Sequence, residues 1–135
     1  MSSPPAGSRT FPVKYVIGGL WKQRYITQFD DGRLMVLPVQ WNVQQAAWGD
    51  YHGLKSREPG SGSYWSDPGR AYQFGCLGCH NTGVAYTYDT KQKRFTDTTW
   101  QENGIAREAC HGPGGVHAAA EDYEKPSGDI LNPAR

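Results

Sequence analysis

The sequence of 135 residues is short of apolar side chains and contains no long apolar run. Hydrophobic residues make up 37% of the chain, and no stretch of them is long enough to cross a membrane as a helix. Lysine and arginine form no basic stripe and the formal net charge is +1, so nucleic acid is not an expected partner. With so little apolar material, we expect a metal ion, a disulfide or a large apolar cofactor to help stabilise the domain.

Cysteine is also scarce, and the three cysteines are an odd number that a pure disulfide framework would not use completely. Glycine (17) and proline (9) are abundant, which predicts a loop-rich domain, while 13% aromatic residues argue against disorder. We expect a flexible lead at residues 1–12, one domain at 13–125 and a polar tail at 126–135.

Local patterns predict an α+β domain built from small β-hairpins and short helices. A strand is expected at 13–17, followed by a hairpin over 21–39 that turns at Asp31-Gly32. Pro38 is expected to end the second strand of this hairpin or to confine it to a sheet edge. A second hairpin is expected over 84–100. Short helices are predicted at 43–54, 69–80 and 116–124.

Residues 76–80 read Cys-Leu-Gly-Cys-His, the pattern through which c-type haem is attached covalently. In such a site, the thiols of Cys76 and Cys79 add to the two vinyl groups of the porphyrin, and His80 coordinates the iron. A thioredoxin-like redox pair is a further interpretation, but the βαβ context that it requires is lacking. The motif therefore predicts that the hairpins and helices are organised around covalently bound haem.

Residues 107–111 read Arg-Glu-Ala-Cys-His, so Arg107 stands where a first cysteine would be. We expect Cys110 to form a single thioether and His111 to coordinate a second iron, with Arg107 as a possible partner of a haem propionate. A vestigial site with a free thiol is one alternative. Zinc is another, because the three cysteines with His80 or His111 would make a Cys3His site.

The chain has four histidines, the number that two bis-histidine haems require. With His80 and His111 provided by the motifs, His52 and His117 are the candidates for the opposite faces of the two irons. Met35 is an alternative axial ligand, although the strand pattern already accounts for it as a core residue.

Other side chains are expected around the cofactor. Lys22 and Arg24 are additional candidates for propionate partners, with solvated surface charge as the alternative interpretation. The tryptophans are expected to pack around the haem faces. They are Trp21, Trp41, Trp48, Trp65 and Trp100.

Three stretches resemble the multihaem c-type cytochromes, and together they extend over most of residues 11–117. The resemblance implies closely packed haems that are mostly bis-histidine ligated and pass electrons along a chain, with His117 as a distal ligand. Arg107 departs from the family's Cys-Glu-x-Cys-His-Gly-Pro-Gly-x-x-His unit, and family members usually carry more attachment motifs. The stretches are 15–25 (YVIGGLWKQRY) with 36–42 (VLPVQWN), 76–83 (CLGCHNTG) and 108–117 (EACHGPGGVH).

We therefore expect an electron-transfer protein with two haem c groups, one of them attached through Cys110 alone. Its expected partners are redox proteins, other haem subunits or copies of itself. A haem enzyme that reduces a nitrogen or sulfur species is an alternative, and it would need an open axial position. A zinc-stabilised interaction module without redox activity is the other alternative.

Haem attachment of this kind takes place after export, so we expect a periplasmic or extracellular protein, including one associated with a membrane complex. Residues 1–10 contain no apolar segment of a signal peptide. We expect that an export signal has been removed from this chain.

Overall fold

The computed structural model describes residues 9–112 of the chain. The secondary structure in that range consists of short strands, single-turn α-helices and 3-10 helices, as the sequence predicts for a loop-rich α+β domain. No helix in that range is both long enough and apolar enough to cross a membrane. The elements are β1 (Tyr15–Ile17), β2 (Lys22–Gln28), β3 (Leu34–Asn42), β4 (Ala47–Asp50), 3-10 helices at Leu54–Ser56 and Pro68–Arg70, α1 (Tyr72–Gly75), α2 (Leu77–His80), β5 (Asn81–Thr82), β6 (Ala85–Asp89), β7 (Arg94–Thr99), β8 (Glu102–Asn103) and α3 (Glu108–His111).

The first four strands form an antiparallel sheet in the order β1-β2-β3-β4. The predicted strand at 13–17 and the predicted hairpin over 21–39 are confirmed by β1, β2 and β3. At the turn, the Phe29 amide donates to the carbonyl of Arg33 at 2.9 Å, and the Gly32 amide donates to the carbonyl of Phe29 at 2.9 Å. Gly32 has a φ of 80°, a left-handed conformation that glycine adopts without steric cost.

The prediction for Pro38 is wrong, because β3 continues through it to Asn42 and lies between β2 and β4. The register of β2 against β3 shifts between Arg24 and Ile26, so Pro38 lies at a β-bulge where the ladder requires no amide donor. Its carbonyl still accepts from the Tyr51 amide at 3.1 Å. The bulge therefore accommodates a proline within a central strand.

The helix predicted at 43–54 is also wrong. The chain turns at 43–46 and returns as β4, which places Trp48 opposite Trp41 in the register with their ring centroids 5.3 Å apart. This cross-strand aromatic pairing outweighs the weak helical pattern. The predicted helix at 69–80 is confirmed only in part, since three short helical segments replace it.

The core consists of two small clusters on opposite faces of β3. Leu34 and Val36 belong to one cluster, and Met35 belongs to the other, because successive side chains of a strand point to opposite faces. Met35 is completely buried, so it is a core residue, as the strand pattern predicts. The first cluster is completed by Ile26, Tyr72 and Leu77, and the second by Leu54, Trp65, Ala71 and Phe95.

The predicted second hairpin is confirmed by β6 and β7, and it packs against the turn of the first. The Phe95 amide donates to the carbonyl of Asp31 at 2.9 Å. Buried Gln73 joins helix α1 to both hairpins, since its amide nitrogen lies 2.9 Å from the Gly32 carbonyl and 3.3 Å from the Thr98 hydroxyl. Gln73 also accepts from the Leu34 amide at 3.0 Å. The two hairpins and the segment before the attachment motif therefore form one packed unit.

The predicted helix at 116–124 and His117 lie outside the described residues, as do most of the predicted lead at 1–12 and all of the tail at 126–135. These assignments stay predictions.

Replacing Gly32 with alanine should destabilise the fold much more than replacing Gly60. Both glycines have a positive φ, of 80° and 85°, so both replacements incur the left-handed penalty of about 1–2 kcal/mol. A Cβ at Gly32 would also overlap the carbonyl oxygen of Phe95, whereas a Cβ at Gly60 would meet nothing within 4 Å. Urea unfolding of Gly32→Ala and Gly60→Ala measures the difference, and equal losses of unfolding free energy would contradict the packing of the two hairpins.

Candidate functional site

The attachment motif forms a single helical turn in which the second thiol and the imidazole are at the surface. The amides of Cys79 and His80 donate to the carbonyl of Cys76 at 3.1 and 3.0 Å, which closes the turn. Leu77 points into the first core cluster and is completely buried. Cys76 is half-buried, and Cys79 and His80 are exposed. The turn therefore presents Cys79 and His80 on its outer side, while Cys76 packs against the first core cluster.

Two cavities meet at His80. One has a volume of about 320 Å³ and the other about 370 Å³, and both are lined by Ile17, Gly18 and His80. These volumes lie in the range of small-molecule and cofactor sites. The first cavity also has aromatic and amide walls, and the second has apolar and cationic walls. The additional residues are Tyr15, Val16, Ile26, Tyr72, Trp100, Asn81, Asn103 and Gly104 in the first, and Gly19, Leu20, Trp21, Lys22 and Arg24 in the second.

The wall between the cavities requires glycine at position 18. Gly18 has a φ of 81°, and a Cβ there would overlap the carbonyl oxygen of Lys22. Glycine therefore allows the β1–β2 connection to bend close beside His80.

A buried hydrogen bond supports the end of the attachment turn. The Tyr72 hydroxyl donates to Oδ1 of Asn81 at 2.8 Å, directly after His80. Burial, with a smaller effect of the Cys76 thiol, raises the pKa of Tyr72 to about 12, so this phenol stays a neutral donor. Burial also raises the pKa of the Cys76 thiol, against the opposing charges of Arg70 and Arg24. Cys76 is therefore a protonated thiol at neutral pH.

The altered second motif has the same hydrogen-bonded turn as the first. The amides of Cys110 and His111 donate to the carbonyl of Arg107 at 3.1 and 3.0 Å. Arg107 thus takes the backbone position that Cys76 has in the first turn, and its own conformation is helical. The substitution removes one thiol and leaves intact the backbone geometry that places Cys110 and His111.

Thr82 connects the two turns. It follows the first motif by two residues, is only 5% exposed, and pairs with Glu102 in the β5–β8 ladder. Its hydroxyl donates to the carbonyl of Gly104 at 3.0 Å and accepts from the Ala106 amide at 2.9 Å. The two partners, Gly104 and Ala106, belong to the short segment that leads into Arg107. Thr82 therefore fixes the start of the second turn relative to the end of the first.

The predicted ligands are only partly brought together. Of the described histidines, His80 alone lines the two cavities. His52 is exposed, has a φ of 56°, lies with its ring 4.7 Å from that of Tyr51, and lines neither cavity. His111 is half-buried at the end of α3. The structure thus assigns no partner imidazole to His80 among residues 9–112.

The zinc alternative finds no support in the described part of the chain. All three cysteines with His80 and His111 lie within residues 9–112, and no group of three or more possible ligands comes together there. Met35 lines neither cavity, so its burial also argues against the alternative in which it coordinates iron.

The tryptophans divide between the site and the core. Trp21 and Trp100 line the cavities at His80. Trp65 is instead buried in the second core cluster, and Trp41 packs against Trp48.

One solved structure has a fold similar to that of this chain. The chain is similar to the crystal structure of the outer cell wall cytochrome OcwA, with a TM-score of 0.51 and 22% sequence identity over 89% of this chain. The chain spans 23% of the length of that protein. No family model and no curated protein matches the sequence. The fold is therefore one that occurs within a cytochrome.

Replacing Thr82 with valine should lower the free energy of unfolding by about 1–3 kcal/mol, because the Gly104 carbonyl and the Ala106 amide would lose their buried partner. Thr82→Ser keeps the hydroxyl and should cost less. Thr87→Val, at an exposed position of β6, is the matched control and should change stability by less than about 0.5 kcal/mol. Urea unfolding and hydrogen exchange at the Ala106 amide provide the measurement. Equal stability of the two valine variants would show that Thr82 does not hold the second turn.

Proposed function

We propose that this chain is an electron-transfer domain of the c-type cytochrome kind, with haem attached at Cys76, Cys79 and His80. The observation that carries the proposal is the attachment turn itself, which exposes His80 beside two cavities while Leu77 anchors it in the core. The likeness of the fold to part of a cytochrome supports the same function.

The residues at the first turn fit a haem group. Two cysteines and a histidine on one turn are the donor set for two thioethers and one axial bond. The apolar and aromatic walls of the cavities suit a flat porphyrin, and Gly18 allows the chain to pass close to it. When bound, haem supplies reversible one-electron chemistry, and the protein sets its potential through ligands, burial and charge.

The second turn is proposed to hold a second haem through Cys110 and His111. Its backbone hydrogen bonds match those of the first turn, so His111 has the same place in its turn as His80 has in the first, although His80 is exposed and His111 is half-buried. Exposed Arg107 stands where a thioether-forming cysteine would be, and it is proposed to contact a propionate of that haem instead. One thioether and the axial bonds then retain the group.

Both haems are proposed to have two histidine ligands. His117 is the candidate for a distal position, as the resemblance to multihaem cytochromes implies. His52 is the other candidate, and it lines neither cavity in the described structure. A closed coordination sphere favours electron transfer over catalysis, since catalysis needs an open axial position.

The proposed role is a relay between redox partners. Thr82 ties the two attachment turns together, which would fix the separation of their haems. Since the chain corresponds to about a quarter of a larger cytochrome, other haem subunits or further copies of this chain are proposed as neighbours, alongside separate redox proteins. Attachment chemistry that follows export supports a periplasmic or extracellular location, including one on a membrane complex.

The mass of the intact protein under denaturing conditions counts the covalently bound haems. After production in a host that matures c-type cytochromes, we expect two haems in the unmodified chain and one in Cys110→Ala. A single haem in both proteins would contradict attachment through Cys110. A chain without haem would contradict the proposed function.

Replacing Arg107 with cysteine should convert the second site into a full attachment motif. The number of haems should stay at two, while the absorption band of that haem in the reduced protein should move to shorter wavelength, because the second thioether saturates a conjugated vinyl group. Arg107→Ala is the control and should leave the band in place. An unchanged spectrum in Arg107→Cys would argue against a vinyl group at position 107.

A further inference from the structure

The cavity on the Lys22 side of His80 carries positive charge without a compensating carboxylate. Lys22 and Arg24 are the charged side chains that line it, and no acidic residue belongs to its described lining. The ion pairs found in the described part of the chain are Arg33–Asp31 and Lys55–Asp50. Neither cation of the cavity therefore has a carboxylate partner among those residues.

Arg24 is held in place although it lacks such a partner. Its guanidinium lies 4.3 Å from the centre of the Tyr51 ring, and Nε donates to Oε1 of Gln40 at 3.5 Å. Gln40 is itself buried, and its amide nitrogen donates to the carbonyl of Asp50 at 3.3 Å. These contacts use the ring-stacking face and one edge of the guanidinium, and leave donors on its other edge for an anion.

The position of Arg24 in the sheet differs from that of an ordinary solvated charge. Arg24 is half-buried and precedes Ile26 by two residues, so both side chains point to the same face of β2. Ile26 is a core residue and lines the cavity on the other side of His80. The guanidinium therefore lies on the face of β2 whose core residue Ile26 packs in the same cluster as Leu77 of the attachment turn.

The other walls of the cavity indicate the kind of ligand. Leu20 and Trp21 are 73% and 63% exposed, and both line the cavity beside the two cations. Large apolar side chains and unpaired cations together fit a ligand that has a flat apolar ring system with carboxylate groups at its periphery. A free inorganic anion would not use the apolar walls, and a purely apolar ligand would leave the cations unpaired.

We infer that this cavity is a carboxylate-binding site, in which Arg24, assisted by Lys22, binds a propionate of the tetrapyrrole whose iron His80 coordinates. This inference rests on the proposed function and adds the residues that orient the cofactor and tune its potential. At the first site the propionate partner is thus Arg24, a strand residue far from the attachment motif in sequence. At the second site the proposed partner, Arg107, belongs to the turn itself.

The test is the reduction potential of the haems in the full haem-loaded chain. Replacing Arg24 with glutamine leaves a carboxylate uncompensated near the iron, which favours the more positive ferric form. We expect the reduction equilibrium of one of the two haems to shift about tenfold toward the ferric state, as for the loss of a charge-assisted hydrogen bond. Lys22→Gln should shift the same haem in the same direction by less, and Arg24→Lys should restore part of the loss.

A matched control and a salt series separate binding from a long-range charge effect. Arg57→Gln makes the same change at an exposed position outside both cavities and should leave both potentials unchanged. At 1 M salt the screening length is about 3 Å, so an effect between solvated charges would vanish while a direct pair would keep most of it. A shift that survives high salt is therefore the result expected.

Three outcomes would count against the inference. Equal potentials for Arg24→Gln and the unmodified chain, with two haems counted by mass, would overturn it and leave the proposed function standing. A shift that disappears at 1 M salt would also overturn it, because a solvated charge would then explain the effect. A chain without covalent haem would overturn both. Should Arg24→Gln fail to fold, Lys22→Gln and Arg24→Lys decide the question by the same criteria.

Discussion

The burial of Leu77 is the contact on which the arrangement of the attachment turn depends. Leu77 is a variable position of the motif, yet its side chain is completely buried in the first core cluster. On a single helical turn, one inward side chain fixes the directions of its neighbours, and Cys79 and His80 are left at the surface. An isolated turn is unstable in water, so this burial, which stabilises by about 1.5–3 kcal/mol, rather than helix propensity holds the histidine in place.

The second turn reaches a similar backbone geometry by different means. Exposed Glu108 takes the place of Leu77, and helix α3 has no buried residue. The hydrogen bonds of Thr82 hold the segment that ends at Ala106, directly before this turn. Hydrogen bonds contribute less net stability than the burial of a large apolar side chain. On the proposed function, coordination by His111 and the thioether of Cys110 would therefore contribute more to ordering this turn than the corresponding bonds do at the first.

Local sequence signals predicted the two hairpins, the buried Met35 and the α+β class, because alternation and turn residues act over a few positions. They failed at Pro38, where a bulge removes the need for an amide donor, and at 43–54, where pairing of Trp41 with Trp48 overrides a weak helical pattern. Within the candidate site, the attachment motif could be predicted from the sequence. The role of Thr82 could not be predicted in this way, since it depends on contacts with residues more than twenty positions away. Lys22 and Arg24 are candidates from the sequence, but only the folded chain shows that both line the same cavity beside His80.

On the proposed function, the small core would give the haem a structural role as well as a redox one. The two apolar clusters are modest, and large side chains such as Leu20 and Trp21 lie exposed beside His80. A porphyrin bound there would cover them and add a third apolar cluster, which would account for a domain with only 37% hydrophobic residues. The same side chains would then determine how much water reaches the iron, and burial is one of the factors that set its potential. Folding and electron transfer would thus depend on one shared surface.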